Sequence, residues 1–169
     1  RSAFAVPEAI SSIDAETMTS LGPEVVAEAL RGVPGAFFQQ TTPGQGIPII
    51  RGLKGSQILH LVDGMRLNNA FFRDAPNQYL ALVDPFILER VELMRGAAGS
   101  LYGADAMGGV VQLLTREVRF EGPEWQSTGR LHGAFAGADE GWLVHAGAAF
   151  GRQGSSFAGS ASYANRGDR

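Results

Sequence analysis

The chain has 169 residues, with 14 basic and 17 acidic side chains and a formal net charge of −3. No basic stripe with interleaved aromatics is present, which argues against a nucleic-acid binder. Cysteine is absent, so neither disulfide staples nor cysteine-ligated zinc can hold the fold.

No apolar run approaches the ~18 residues of a membrane-spanning helix, a test that says nothing of barrel strands, whose signal is much weaker. Arg1-Ser2-Ala3 leads into no long apolar stretch, so an exported protein would be represented here by its mature or trimmed form. The 23 glycines are about twice the usual share of roughly 7%, which favours turns, strands and close backbone packing over long helices.

In chain order, Ala9-Ile10-Ser11-Ser12-Ile13 reads as a short edge strand, and Asp14 with Thr17 three residues on can cap one helical turn. Pro23 and Glu24 suit the start of a helix, and Val25, Val26, Ala29 and Leu30 fall on one face at helical spacing. Gly32 and Pro34-Gly35 then stop it. Residues 39–46 are polar and rich in turn formers, an expected exposed loop. Residues 47–51 return to extended chain ending in Arg51-Gly52. Residues 58–62 form a stronger strand, closed by Asp63-Gly64, a favoured two-residue hairpin turn, with Met65-Arg66-Leu67 as the return. Residues 68–79 are a second polar loop carrying aromatics, an arginine and several amides. Asp84-Pro85 is an N-cap followed by proline at the first helical position, and that helix must be brief.

Residues 89–116 are the most distinctive stretch. An alternating run of Val91 and Leu93 against Glu92 and Met94 predicts a half-buried strand. Glycines 96, 99, 103, 108 and 109 follow around Tyr102, and residues 110–115 give a second strand of aliphatic and β-branched residues.

After a polar connector the texture changes. Leu131, Gly133 and Phe135 alternate with Arg130, His132 and Ala134; Trp142, Val144, Ala146, Ala148 and Phe150 alternate with Leu143, His145, Gly147 and Ala149. Phe157, Gly159, Ala161 and Tyr163 alternate with Ser156, Ala158, Ser160 and Ser162. Segments of ~10 residues with period-two alternation and aromatic ends fit transmembrane β-barrel strands, and fit a soluble β-meander with small side chains about equally.

Val33-Pro34-Gly35, Ile50-Arg51-Gly52, the run from Leu61 through Asp63-Gly64 to Asn68, Glu89-Arg90-Val91-Glu92, and Arg95-Gly96 through Tyr102-Gly103 and Gly108-Gly109 to Thr115 carry a resemblance. In this order and spacing they resemble the plug domain of TonB-dependent outer-membrane receptors. The departures are Ala97-Ala98-Gly99, where proline and a small residue are commoner, and Gln112, where asparagine is usual. The resemblance implies an α+β plug, a small mixed β-sheet with short helices, over residues 1–117. Residues 118–169 would then be a connector and about three antiparallel strands of a transmembrane β-barrel, 22-stranded in the complete family fold. Twenty-two strands of roughly 10 residues need about 220 residues before any loop. The chain is therefore expected to be a fragment or one part of a split receptor.

The resemblance also implies a site. The plug apices would meet substrate through Gln45, Asn68, Asn69, Phe71, Arg73, Asn77, Gln78 and Tyr79. Arg51 and Arg95 would form part of a lock against barrel-wall carboxylates; the alternative is local pairing with Glu89 or Glu92. His60, His132 and His145 are dispersed without ligand spacing, so no metal site is expected, nor any cofactor. No acid/base pair, P-loop or nucleophile elbow is legible, so no catalytic residue is assigned.

The implied function is import of a scarce nutrient of the iron-chelate, haem or cobalamin type in the bacterial outer membrane. The implied partners are the remaining barrel polypeptide, TonB of the inner-membrane energy-transducing complex, the nutrient ligand and outer-membrane lipid, without nucleic acid. A free-standing periplasmic plug-like binding module is the alternative; a periplasmic enzyme would require a catalytic constellation that the sequence does not offer.

Overall fold

A computed structural model describes residues 9–22, 25–40, 44–67, 79–96, 99–136 and 141–165. Contacts divide the chain into two units, residues 1–116 and 117–169.

The first unit is built on a five-stranded mixed sheet. Its strands are β1 (Ala9–Asp14), β4 (Ile58–Val62), β5 (Met65–Arg66), β6 (Leu88–Arg95) and β7 (Gly109–Thr115), in the order β1-β6-β7-β4-β5. Only β4 and β7 run parallel. A separate antiparallel ribbon joins β2 (Ala36–Gln39) to β3 (Ile47–Ile50). The expected edge strand thus forms, with β6 as its neighbour. Asp14 caps α1 (Ala15–Leu21), its Oδ1 accepting from the Thr17 amide at 2.8 Å.

The sheet buries both faces, because each strand alternates its apolar side chains. Ile58, Val91, Leu93, Val111 and Leu113 pack on one side against Val26, Ala29, Leu30 and Leu80. Leu59, Leu61 and Val110 pack on the other against Ala106, with Met94 and Tyr102 at the margin. Each fully buried aliphatic side chain contributes about 1.5–3 kcal/mol relative to exposure.

The helix expected from residue 23 is shorter and tighter. Only Val26–Leu30 is helical, and as a 3-10 turn; Pro23 and Glu24 lie outside the described residues. The physical reason is burial on more than one side: Ala27 is as enclosed as Val26, whereas an amphipathic helix would expose it. A second 3-10 turn, Pro85–Ile87, starts where expected, with Asp84 Oδ1 accepting from the Phe86 amide at 2.9 Å. Elements not foreseen in the sequence include β2, the single helical turn α2 (Gly99–Tyr102) inside the glycine-rich stretch, and the 3-10 turns Gly55–Gln57, Tyr79–Leu82 and Ala104–Ala106.

The second unit is an antiparallel sheet of β8 (Gln126–Ala136), β9 (Gly141–Arg152) and β10 (Ser155–Asn165), with β9 central. Its three strands match the three alternating segments of the sequence. The connector before it is tied to this sheet: Gln126 Nε2 donates to Glu121 O at 2.6 Å, and the Gln153 amide donates to Gly122 O at 2.8 Å.

Candidate functional site

Two turns with the same backbone geometry organise the surface of the first unit. Asp63 and Gly64 have φ of 48° and 82°, and Arg51 and Gly52 have φ of 52° and 81°. Both pairs occupy the centre of a two-residue turn whose two residues take positive φ, the geometry that joins tightly twisted strands. Glycine enters this region freely and aspartate tolerates it, but arginine there costs roughly 1–2 kcal/mol. Asp63 is held in place at the end of β7: its Oδ1 accepts from the Thr115 amide at 2.9 Å and its Oδ2 from Thr115 Oγ1 at 2.7 Å. Arg51 has no such anchor. Among the described residues its guanidinium makes no hydrogen bond and no ion pair, and it projects exposed from the tip of the turn.

Arg95 is placed differently. Its Nη1 donates to Pro34 O at 2.6 Å and its Nη2 to Ser11 Oγ at 3.1 Å, so it joins β6 to the edge strand and to the Pro34-Gly35 turn. The Arg51 amide donates to Gly35 O at 2.9 Å, and Arg51 Nη1 would stand 3.3 Å from a Cβ built on Gly96. The two expected lock residues therefore rise from one patch around Gly35 and Gly96. Glu89 and Glu92, the local alternatives, are both engaged by Arg90 instead, at 3.2 Å and 2.8 Å. The hydrogen bond that Arg90 donates to Glu92 holds the Arg90 guanidinium more basic than usual.

Of the expected apical residues, Gln45 and Tyr79 are among those described. Asn68, Asn69, Phe71, Arg73, Asn77 and Gln78 lie outside the described residues. Gln45 is half-buried beside Gly46, whose Cα sits against the Phe38 ring with no room for a Cβ. The Arg31 guanidinium lies 4.8 Å above the same ring. Tyr79 departs from the expectation of a substrate-facing side chain. It is 3% exposed, its ring centroid 5.7 Å from that of His60, and it belongs to the packed interior. The reason is the 3-10 turn Tyr79–Leu82, which sets Tyr79 beside the fully buried Leu80. On the other flank, Arg66 reaches Asp105 Oδ2 at 2.7 Å and Tyr102 O at 3.3 Å, fastening β5 to the glycine-rich stretch.

Histidines that look dispersed in sequence are not all apart in space. His132 and His145 are direct cross-strand partners, and His145 Nδ1 lies 2.7 Å from Ser162 Oγ. His145 fills the space above Gly147, where its Nε2 would stand 3.5 Å from a Cβ. Among the described residues no cluster of three or more His, Cys, Asp or Glu side chains is placed to hold a metal ion.

The β8–β10 register separates two chemistries. One face carries Arg130, His132, His145, Ser160 and Ser162 with small residues between them. The other carries Leu131, Val144, Ala146 and Ala161 in the middle, with an aromatic group at each end. Trp142 and Tyr163 make one group, with centroids 5.2 Å apart; Phe150 and Phe157 make the other, stacked at 5.2 Å, with Trp125 5.9 Å from Phe150. Eight residues of strand separate Trp142 from Phe150, about 26 Å along the chain and about 20 Å at the usual ~40° tilt. That is the scale of the ~25 Å apolar band of an outer-membrane barrel. A water-facing sheet would not leave Leu131, Phe135, Phe157 and Tyr163 more than half exposed on one side.

A compact α+β domain with an exposed arginine turn, followed by strands with an apolar outer face and a small polar inner one, defines the plug and first wall strands of an outer-membrane receptor. The family model for the TonB-dependent receptor plug domain matches residues 2–110, and the chain belongs to that family. Membership places it in the bacterial outer membrane. The chain is 32% identical over 155 residues to a hemin receptor of Yersinia pestis, covering 90% of this chain and 22% of that protein. It is 32% identical over 107 residues to the vitamin B12 transporter BtuB of Photobacterium profundum, covering 63% and 17%. The fold is that of the siderophore receptor PirA from Acinetobacter baumannii, with a TM-score of 0.69 at 24% identity over 92% of this chain and 24% of that one. The chain thus spans about a fifth of the length of the curated relatives it matches.

Proposed function

We propose that this chain is the plug-bearing part of a receptor that binds and imports a scarce nutrient of the haem, cobalamin or iron-chelate type, by a plug rearrangement driven through TonB. The observation that carries the reading is the continuity of a plug-family domain with strands whose outward face is apolar and bounded by aromatics. Further barrel polypeptide completes the wall, since three strands leave open edges that lipid cannot satisfy.

In this reading the loop containing Asn68, Asn69, Phe71, Arg73, Asn77 and Gln78, together with Gln45, meets the ligand. Arg73 supplies charge to an anionic nutrient, while Tyr79 is buried and stays out of the contact. Arg51 and Arg95 face wall carboxylates, where the planar guanidinium gives bidentate pairing. Arg51 is the arm that binds across and Arg95 the post that fixes it, because Arg95 is already bonded within the plug.

The test is uptake in cells that depend on this receptor. Hemin, cobalamin and ferric siderophores are offered singly, with membrane fractionation run in parallel. The expected result is outer-membrane fractionation, growth on one nutrient class, and weaker ligand binding in Arg73→Ala at unchanged membrane yield. A chain recovered soluble without detergent would point to a periplasmic binding module and overturn the transport reading.

A further inference from the structure

Arg152 is the only charged residue among the described strand positions that point to the apolar face of the β8–β10 sheet. Its guanidinium lies 5.4 Å from the centre of the Trp125 ring, and Trp125 continues into the stack of Phe150 and Phe157. Ser127 is the cross-strand partner of Phe150, and the small side chain beside two rings leaves a cleft of about 400 Å³ lined by Trp125, Gln126, Ser127 and Phe150. The bonds from Gln126 to Glu121 O and from Gln153 to Gly122 O hold the connector, and with it Trp125, against the strand ends. The cleft is therefore formed before anything enters it, which lowers the ordering cost of binding.

We propose that this end of the sheet is a docking site for one glycerophospholipid of the surrounding bilayer. Arg152 takes the phosphate, and the Trp125–Phe150–Phe157 platform takes the glycerol and the first acyl carbons. The proposal rests on the reading of these strands as membrane wall.

Three features commit it to phospholipid. The guanidinium fork matches two phosphate oxygens, and its position over an indole keeps it oriented while the surrounding surface is apolar. A cation at the edge of an apolar band reaches toward the headgroup level rather than into the hydrocarbon. The connection at this end is the tight Gln153-Gly154 turn, the short kind that marks the periplasmic side of such barrels, where the leaflet is glycerophospholipid. The opposite aromatic group, Trp142 with Tyr163, has no cation on the same face among the described residues.

The experiment is native mass spectrometry of the detergent-purified complete receptor. Phosphatidylglycerol and phosphatidylethanolamine of defined chain length are titrated separately, with millimolar inorganic phosphate as competitor. The expected result is one retained phospholipid, a drop of fivefold or more in the lipid-bound fraction for Arg152→Gln, and partial recovery for Arg152→Lys. In the intact parent, a phospholipid brominated near its headgroup is expected to quench the fluorescence lost in Trp125→Phe. Equal retention in parent and Arg152→Gln, or no quenching of that component, would overturn the site while leaving the membrane reading intact. Displacement by inorganic phosphate would overturn the lipid as occupant. A receptor that stays soluble without detergent would remove both readings together.

Discussion

The two arginines of the plug patch are expected to respond oppositely to substitution. Arg51→Asn keeps a residue suited to positive φ, relieves a backbone cost of roughly 1–2 kcal/mol and breaks no bond within the unit. The plug is then unchanged or steadier by up to about 1 kcal/mol. Arg95→Ala removes the charge-assisted bonds to Pro34 O and Ser11 Oγ. Partial exposure reduces what each is worth, leaving a combined loss of about 1–3 kcal/mol in the docking of β1 on β6.

Hydrogen exchange on the complete receptor reads this locally, since 1–3 kcal/mol is about 5- to 150-fold in the opening equilibrium. Amides of residues 10–14 should exchange that much faster in Arg95→Ala and at the parent rate in Arg51→Asn. On the proposed lock, in which Arg51 and Arg95 meet the wall, nutrient uptake should fall in both. Arg51→Asn accelerating exchange around residues 47–53 as strongly as Arg95→Ala does around residues 10–14 would refute the division of labour.

Three further outcomes follow from the same geometry. Gly109→Ala should destabilise the first unit by about 1–3 kcal/mol, because φ is 155° and a Cβ would run into the Met94 carbonyl oxygen; thermal unfolding of the receptor measures it. Asp63→Ala should cost about 2–3 kcal/mol through loss of both Thr115 bonds and of a residue tolerant of positive φ, and Asp63→Asn should cost clearly less in the same melt. The Asp14 carboxyl is held below its ordinary 3.8, first by the Thr17 backbone amide and then by the Thr17 side chain. Because the folded value is the lower one, this contribution is complete above 3.8 and is lost as pH falls through the folded value. Protection of the Thr17 amide, corrected for intrinsic exchange, should drop on acidification in the parent and show no such step in Asp14→Asn.

Local chemistry made much of the fold legible in sequence. Asp63-Gly64 states its turn outright, Asp14 and Asp84 state their caps, and β9 states its two faces residue by residue. The misreadings arise where distant parts of the chain decide. Residues 25–30 have helical spacing, yet burial around nearly the whole turn compresses them into 3-10 geometry. β2 is short, and it is a strand because β3 lies beside it. At the candidate site, Arg51-Gly52 repeats the Asp63-Gly64 turn without its signature, because arginine is disfavoured at positive φ. Nor could the bonds from Arg95 to Pro34 and Ser11 be read from sequence, because they close separations of 61 and 84 residues. Tyr79 ends a polar run, and only the burial of Leu80 beside it tells that the chain has already turned inward.

The strict alternation along β9 makes the wall a parity code. Odd positions from Leu143 to Gly151, small residues around His145, carry the inner face, and even positions from Trp142 to Arg152 carry the outer one. Deleting one residue within Gly141–Arg152 would exchange the two sets over the rest of the strand, sending His145 toward lipid and Phe150 toward the interior. Deleting two would restore every side chain to its face and merely draw the aromatic rows together by about 7 Å. Length changes in such a strand are thus tolerated in pairs, and any single-residue change has to be absorbed in the turns.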